Sequence, residues 1–586
     1  MRYLLLLCGV LSVCAAQVWQ PPRTEMVFRA MEQELRRAQQ NLRSEGAPAP
    51  YYIEYRLQYR AALVAQAVLG ELVESNESQR ATLTVAVRIG TPELDNTNLA
   101  APSFLLFGGA SPRETYRQRT IPIELSDTLL RRELWLATDA AYKDAVEQYG
   151  RKLNILRSQL RRDTTPDFRL LPAEELFDTL AVSTFPRALA ERLCRELSAI
   201  FRQYPEFTAS AVSFEYLPTQ TWYANTEGRR AVKTELFTGL EVVAYAQAND
   251  GTLLAQYYSA YARTPAELPS LDSLRQAVTE VAQRLRAQRS ASALEETYVG
   301  PVLFEGRAAG ELIAQVLVPQ LLLHREPLSD APVFTTRAQG LARRIGSRIL
   351  PEFLSLRAAP CQRWFRQTPL VGSYCVDDEG VRANTVQVVE KGVLRQLLST
   401  RVPTRWLARS NGHNRAGAPM VGVLELIPGE GSGSVLERQQ LRQYFLQLLR
   451  QRELPYGILV RSVMNLNIAQ TVLARASLGK YPSFAREGSL PIVAAFRVYP
   501  DGREELLQPC DAVGITVRSL RDILAVSREQ TPYNYLAPAA AAGSEVPYLP
   551  VSIVTPDIVL EEVEVRPREG SVPKPPLVSP PFIERR

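Results

Sequence analysis

The stretch YVGPVLFEGRAAGELIAQVLVPQLLLHR, residues 298–325, decides how this chain reads. Its early part, PVLF at 301–304, is a short apolar run of the kind that forms a buried strand. Glu305 then opens a segment in which Ala309, Leu312, Val316 and Leu317 recur at three-to-four-residue spacing. That spacing predicts a helix with its apolar side turned to a core, fed directly by the strand and closed near Pro319.

Working outward, residues 24–43 carry Val27, Met31, Leu35, Ala38 and Leu42 at helical spacing. Residues 51–63, 64–73 and 81–89 alternate apolar with polar and predict a three-stranded antiparallel meander. Ser126 caps a long periodic stretch over 127–161 that contains Leu130, Leu134, Ala137, Ala141, Ala145, Tyr149 and Leu153. Strands follow at 209–217, 221–225 and 231–262, with a tight turn at Asn225-Thr226-Glu227-Gly228 and a hairpin signal at Asn249-Asp250-Gly251. A helix over 269–289 closes the first half.

Beyond the opening stretch, 381–389 and 393–398 flank Glu390-Lys391-Gly392 as a hairpin, 433–453 reads as an amphipathic helix, and strands fall at 458–464, 492–499, 504–507 and 513–517. The fold expected is α+β, two domains with largely antiparallel sheets flanked by helices. Their bounds are 17–290 and 291–565, after a leader over 1–16 and before a proline-rich, extended tail at 566–586.

The leader has a charged start at Arg2, an apolar run over 3–13 and a small-residue end at Cys14-Ala15-Ala16. That is the layout of a secretory signal peptide cut before Gln17, and the expected location is periplasmic or extracellular. A lipoprotein anchored at Cys14 is disfavoured by bulky Val13. No later run of apolar residues is long enough for a transmembrane segment. A net charge of +6 over 586 residues leaves no nucleic-acid footprint. Four cysteines follow the leader: Cys194, Cys361, Cys375 and Cys510. Cys361 and Cys375 flank a hairpin-like segment and form the preferred pair; buried free thiols are the other reading, and both stay open.

Chemistry-bearing residues are few. A helix holds zinc by presenting two histidines and a glutamate from one face, because imidazoles and a base must converge on one ion and its water. This chain has only His324 and His413, so no such pair exists in it. Asp377-Asp378-Glu379-Gly380 places three acids in a row, but successive side chains on an extended chain point to opposite faces, and a solvated turn is expected rather than a cation site. The loop Ser410-Asn411-Gly412-His413-Asn414-Arg415 is the most polar constellation. Asn411, His413 and Arg415 either hold a peptide backbone or brace the loop. No Gly-x-Ser-x-Gly elbow accompanies either histidine, which argues against a serine hydrolase.

The run GPVLFEGRAAGEL at 300–312, together with SNGH at 410–413 and the acidic turn, resembles the TldD/PmbA family, also described as modulators of DNA gyrase. That family comprises zinc peptidases and non-catalytic homologues. The resemblance implies a Tld-type two-domain architecture and, in active members, a His-Glu-x-x-x-His motif. Aligned on the glutamate, the motif's histidines fall on Phe304 and Ala309 and its glutamate on Glu305, the single catalytic candidate. A late cysteine ligand of active relatives corresponds to 537–544, which holds none. The implied reading is a degenerate homologue without a metal, where relatives hold zinc. It binds peptide or unfolded polypeptide, or forms a homo- or heterodimer with a TldD-type subunit. The alternative is a working zinc metallopeptidase with unconventional or partner-supplied ligands.

Overall fold

Residues 19–100, 118–158, 163–329, 340–465, 467–468, 489–539 and 548–568 are described by the computed structural model. The leader, most of the segment at 537–544 and nearly all of the tail lie outside them.

In the first half, β1 (Pro50–Val68) and β2 (Glu71–Thr91) form one long antiparallel hairpin. The chain reverses at Leu69 and Gly70, both in the left-handed region at φ +49 and +84°. Two strands therefore replace the three-stranded meander expected from sequence. Residues 74–80 are polar on both faces, yet they stay paired, Glu74 opposite Gln66 and Arg80 opposite Arg60. Lost alternation there marks exposure to solvent and not a break in the strand.

β3 (Phe207–Tyr216), β4 (Thr219–Asn225), β5 (Arg230–Glu235), β6 (Thr238–Gln247) and β7 (Leu253–Ala262) complete the sheet in the order β7-β6-β3-β1-β4-β5. A strand at Glu175–Asp178 runs parallel to β5 at the end. The β6–β7 turn falls where Asn249-Asp250-Gly251 predicts it, with Asp250 accepting from the Thr252 N–H at 2.9 Å. Helices α1 (Thr24–Asn41) and α2 (Asp127–Ser158) lay Val27, Met31, Leu130 and Leu134 against Tyr55 and Leu57 of β1. Helices α3 (Arg187–Ala199) and α4 (Leu271–Gln288) bury Leu197, Leu274 and Val278 against Leu240 and Val242. Each such side chain contributes about 1.5–3 kcal/mol. The free thiol of Cys194 is buried on α3, a helix that the sequence reading passes over.

The second half is built on β8 (Tyr298–Phe304), β9 (Gly457–Val463), β10 (Ser489–Val498), β11 (Cys510–Val513), β12 (Ile523–Pro538) and β13 (Tyr548–Pro567). β8 pairs with β9, β9 with β10, β10 with β11, β11 with β13, and β13 with β8, so five strands close on themselves. Alternation along β8 sends Val302 and Phe304 into one core and Leu303 into another. The second core is covered by α6 (Arg438–Gln451) through Leu441, Phe445 and Leu449. After β8 the chain turns into α5 (Arg307–Leu312), which tightens and loosens through a π segment at Ile313–Leu317 and a 3-10 turn at Val318–Leu321. A disulfide joins Cys361 to Cys375 around the short hairpin of Trp364–Phe365 and Thr368–Pro369. Cys510 is a buried free thiol.

Candidate functional site

The strand-to-helix junction is held by backbone. The Glu305 N–H donates to the Val460 carbonyl at 3.0 Å, so Glu305 still follows the line of β8. Gly306 turns the chain at φ +53° and donates its N–H to Asp557 Oδ1 at 2.7 Å. The helix begins at Arg307, two residues later than the apolar spacing suggests. Phe304 consequently ends a strand while Ala309 sits in a helix. Both are fully buried, but they do not share a helical face. Glu305 is partly exposed and its Oε2 accepts from Arg461 Nε at 3.2 Å.

One turn into the helix lies a polar cluster that the sequence reading missed. Glu311 is buried; it accepts from Asn465 Nδ2 at 2.8 Å, from Gln315 Nε2 at 2.9 Å and from the Tyr533 hydroxyl. Burial pushes its carboxyl above the usual range, against the pull of those donors and of Arg307. Arg307 donates from Nη2 to Ser259 Oγ at 2.7 Å. Its guanidinium lies 5.8, 5.6 and 5.8 Å from the ring centres of Tyr257, Tyr258 and Tyr533. The only sequence signal was a pair of charges four residues apart in an otherwise apolar helix. The cluster stands where the two sheets meet: Tyr257 on β7 donates to the Val463 carbonyl at 2.7 Å, and Gln256 and Gln288 both donate to the Val493 carbonyl.

The 410–415 loop lies elsewhere on this junction. Asn411 is buried, accepting from the Ser399 N–H and donating to the Leu397 carbonyl, both at 2.8 Å. His413 has no exposed surface; Nδ1 donates to the Asn411 carbonyl at 3.0 Å, and burial pushes the imidazole down to about 4. Gly412 is required: at φ +78° a Cβ would sit 2.2 Å from the Arg382 carbonyl. Arg415 pairs with Glu235 on β5 at 2.5 Å and lies over the Tyr374 ring.

The acidic turn is a correction to the sequence reading. Asp377, Asp378 and Glu379 are buried, not solvated. They do point to different sides, and each side has its own partners. Asp377 accepts from the N–H groups of Glu379, Val381 and Asn414. Asp378 meets Lys233 of β5 and the Ala416 N–H, and Glu379 accepts from the Arg401 N–H at 2.9 Å. Lys233 and Arg415, despite the burial of Asp378, hold its carboxyl well below the usual range. Arg401 reaches back to Glu227 of the 225–228 turn at 2.6 Å. Asp378 thus ties the two halves together through its ion pair with Lys233, and the three acids do not gather around a cation.

Zinc does not fit the residues present. Residues 307–321 contain neither histidine nor cysteine, so the motif finds no imidazole on this helix in any register. The nearest carboxylates, Glu305 and Glu311, are engaged by Arg461 and by Asn465, Gln315 and Tyr533. Among the described residues no three or more of His, Cys, Asp and Glu gather as an ion would need.

A closed small sheet running into a helix at the meeting of two α+β halves defines a metallopeptidase-related scaffold of the Tld type. Residues 296–567 match the family model of the PmbA/TldA metallopeptidase C-terminal domain. That match assigns the second half of the chain to the TldD/PmbA family. Among solved structures it is similar to TldE from Thermococcus kodakarensis, at 14% identity and TM-score 0.56 over 92% of this chain and 100% of that one. Two proteins described as modulators of DNA gyrase share the fold. The one from Thermotoga maritima is 12% identical with TM-score 0.55 over 92% of this chain and 99% of that one. The one from Bacteroides thetaiotaomicron is 10% identical with TM-score 0.55 over 93% and 98%. No curated protein matches the chain.

Proposed function

We propose that this protein is an exported, catalytically degenerate member of its family that binds extended polypeptide and pairs with a TldD-type subunit. The observation that carries the proposal is the passage from β8 into its helix: it keeps the family's glutamate at Glu305 and places hydrocarbon, Phe304 and Ala309, where a peptidase needs imidazole. A lost ligand set leaves the scaffold free for binding, and the fold shared with TldE supports a partnered role. The signal-like leader and the Cys361–Cys375 disulfide support an oxidising compartment. Among the described residues no helix is long and apolar enough to cross a membrane.

The proposal is tested by purifying the tagged chain from its own cell envelope fraction and sizing it. Co-elution with a homologue bearing His-Glu-x-x-x-His supports the paired reading. A strict monomer that retains no partner and binds no unfolded polypeptide contradicts it.

A further inference from the structure

Arg307 is placed unlike the other interior arginines of this molecule. Arg401, Arg415 and Arg229 each meet a glutamate within 2.5–2.7 Å. Arg307 has no carboxylate within ion-pairing distance among the described residues, although it sits at the meeting of the two halves and is partly open to solvent. Tyrosine ring faces and the Ser259 hydroxyl are its neighbours. A guanidinium offers five N–H donors in a planar fork, and only Nη2 is engaged by protein here. Electron-rich ring faces offset part of the cost of burying the charge, but they do not occupy the remaining donors.

A second cation is close enough for its charge to act against that of Arg307. Arg284 on α4 is also partly exposed and lacks a carboxylate within ion-pairing distance among the described residues. Burial first, and then the charges of Arg461 and Arg307, hold its guanidinium below the usual range. Arg461 is itself balanced by Glu305 and Glu504, and Glu280 acts on Arg284. Arg442 also pairs with Glu504, so Arg284, Arg307, Arg442 and Arg461 face Glu280, Glu305 and Glu504, four charges against three, with Glu311 one helical turn behind Arg307. A singly charged, planar, two-oxygen group matches that surplus and that fork; a dianionic phosphate would add repulsion from Glu311 and Glu305.

We infer that Arg307, flanked by Tyr257, Tyr258 and Tyr533, is a carboxylate-binding site where the two halves meet. Its ligand is a peptide carboxylate, either the chain terminus or an acidic side chain; that part rests on the polypeptide-binding reading above. Paired N–H···O bonds from the guanidinium fix the carboxylate plane, and the partly exposed ring of Tyr258 flanks the residue that carries it.

The test uses the full chain and three fluorescent peptides of one neutral sequence, read by anisotropy: a free C-terminal acid, its C-terminal amide, and the amide with one internal glutamate. Binding of the acid at least about tenfold tighter than the amide supports a chain terminus as ligand. That preference is lost in Arg307→Gln and partly kept in Arg307→Lys. The same preference shown by the glutamate peptide, with the same dependence on Arg307, supports a side chain instead. Equal binding of all three, or a preference that survives Arg307→Gln, overturns the inference and leaves polypeptide binding standing. If none of the three binds, polypeptide binding fails and a footprint decides the site. Benzoate must then shield Arg307 from phenylglyoxal in the wild type where benzamide does not. Absent shielding, or stronger shielding by inorganic phosphate, overturns it.

Discussion

His413 offers a direct reading of how tightly the second half is closed. The imidazole is buried with no exposed surface, its Nδ1 proton goes to the Asn411 carbonyl, and Nε2 meets no hydrogen-bond partner among the described residues. A proton on Nε2 would place a charge where nothing accepts it, which is why burial lowers the group from 6.5 to about 4. The sign follows: above the ordinary value neither folded nor unfolded chain is charged at this site, and nothing is lost. As pH falls through 6.5 the unfolded chain takes up the proton first, and folding loses stability until the folded value is reached. The shift corresponds to about 3 kcal/mol in full and about 2 kcal/mol by pH 5. Asp377 works the other way, since burial and then Glu379 push it up to about 8, so its contribution is lost as pH rises. The raw pH profile mixes the two; the difference between wild type and His413→Gln isolates the histidine. The chain has two histidines, so Cε1-labelled protein gives two resonances and the variant assigns them. One should not titrate down to about pH 5. A His413 resonance titrating within about half a unit of its ordinary value would refute the reasoning.

Two further outcomes follow from the ion pairs and turns between the halves. Lys233→Met leaves Asp378 buried with only the more distant charges of Arg415 and Arg56 acting on it and is expected to destabilise by about 3–5 kcal/mol, read as a lower melting temperature at neutral pH; a melt within error of wild type would show that the acids find other partners. Gly412→Ala forces a left-handed alanine against the Arg382 carbonyl and is expected to cost at least about 2 kcal/mol, whereas Gly346→Ala, also at positive φ but with open space around it, should cost less when both are melted side by side.

Much of the architecture was legible because it rests on local periodicity. The strand and helix at 298–325, the β6–β7 turn and the helices α1, α2, α4 and α6 all carry an apolar repeat that the core then uses. What failed was whatever depends on partners distant in sequence. Asp378 reads as solvated because the cation it pairs with is distant in the chain; its lysine arrives from β5, 145 residues earlier. Arg307 and Glu311 read as ordinary helix charges because Ser259, Asn465 and Tyr533 come from three other elements. The break at Gly306 was legible in principle, since a glycine between strand and helix often turns the chain, but the apolar spacing across it suggested a continuous helix. The meander over 51–89 was misdrawn for a different reason: pairing continues through residues that have no apolar face to show.

The central claim is that this scaffold has exchanged imidazole for hydrocarbon, at Phe304 and Ala309, around the turn after β8. Metal analysis of the full chain, purified without chelator and dialysed against zinc, tests it most directly, with a quenched peptide assay run on the same sample. The account predicts no stoichiometric zinc and no cleavage that a chelator abolishes. Stoichiometric zinc, lost on chelation together with peptidase activity of the isolated chain, would contradict it.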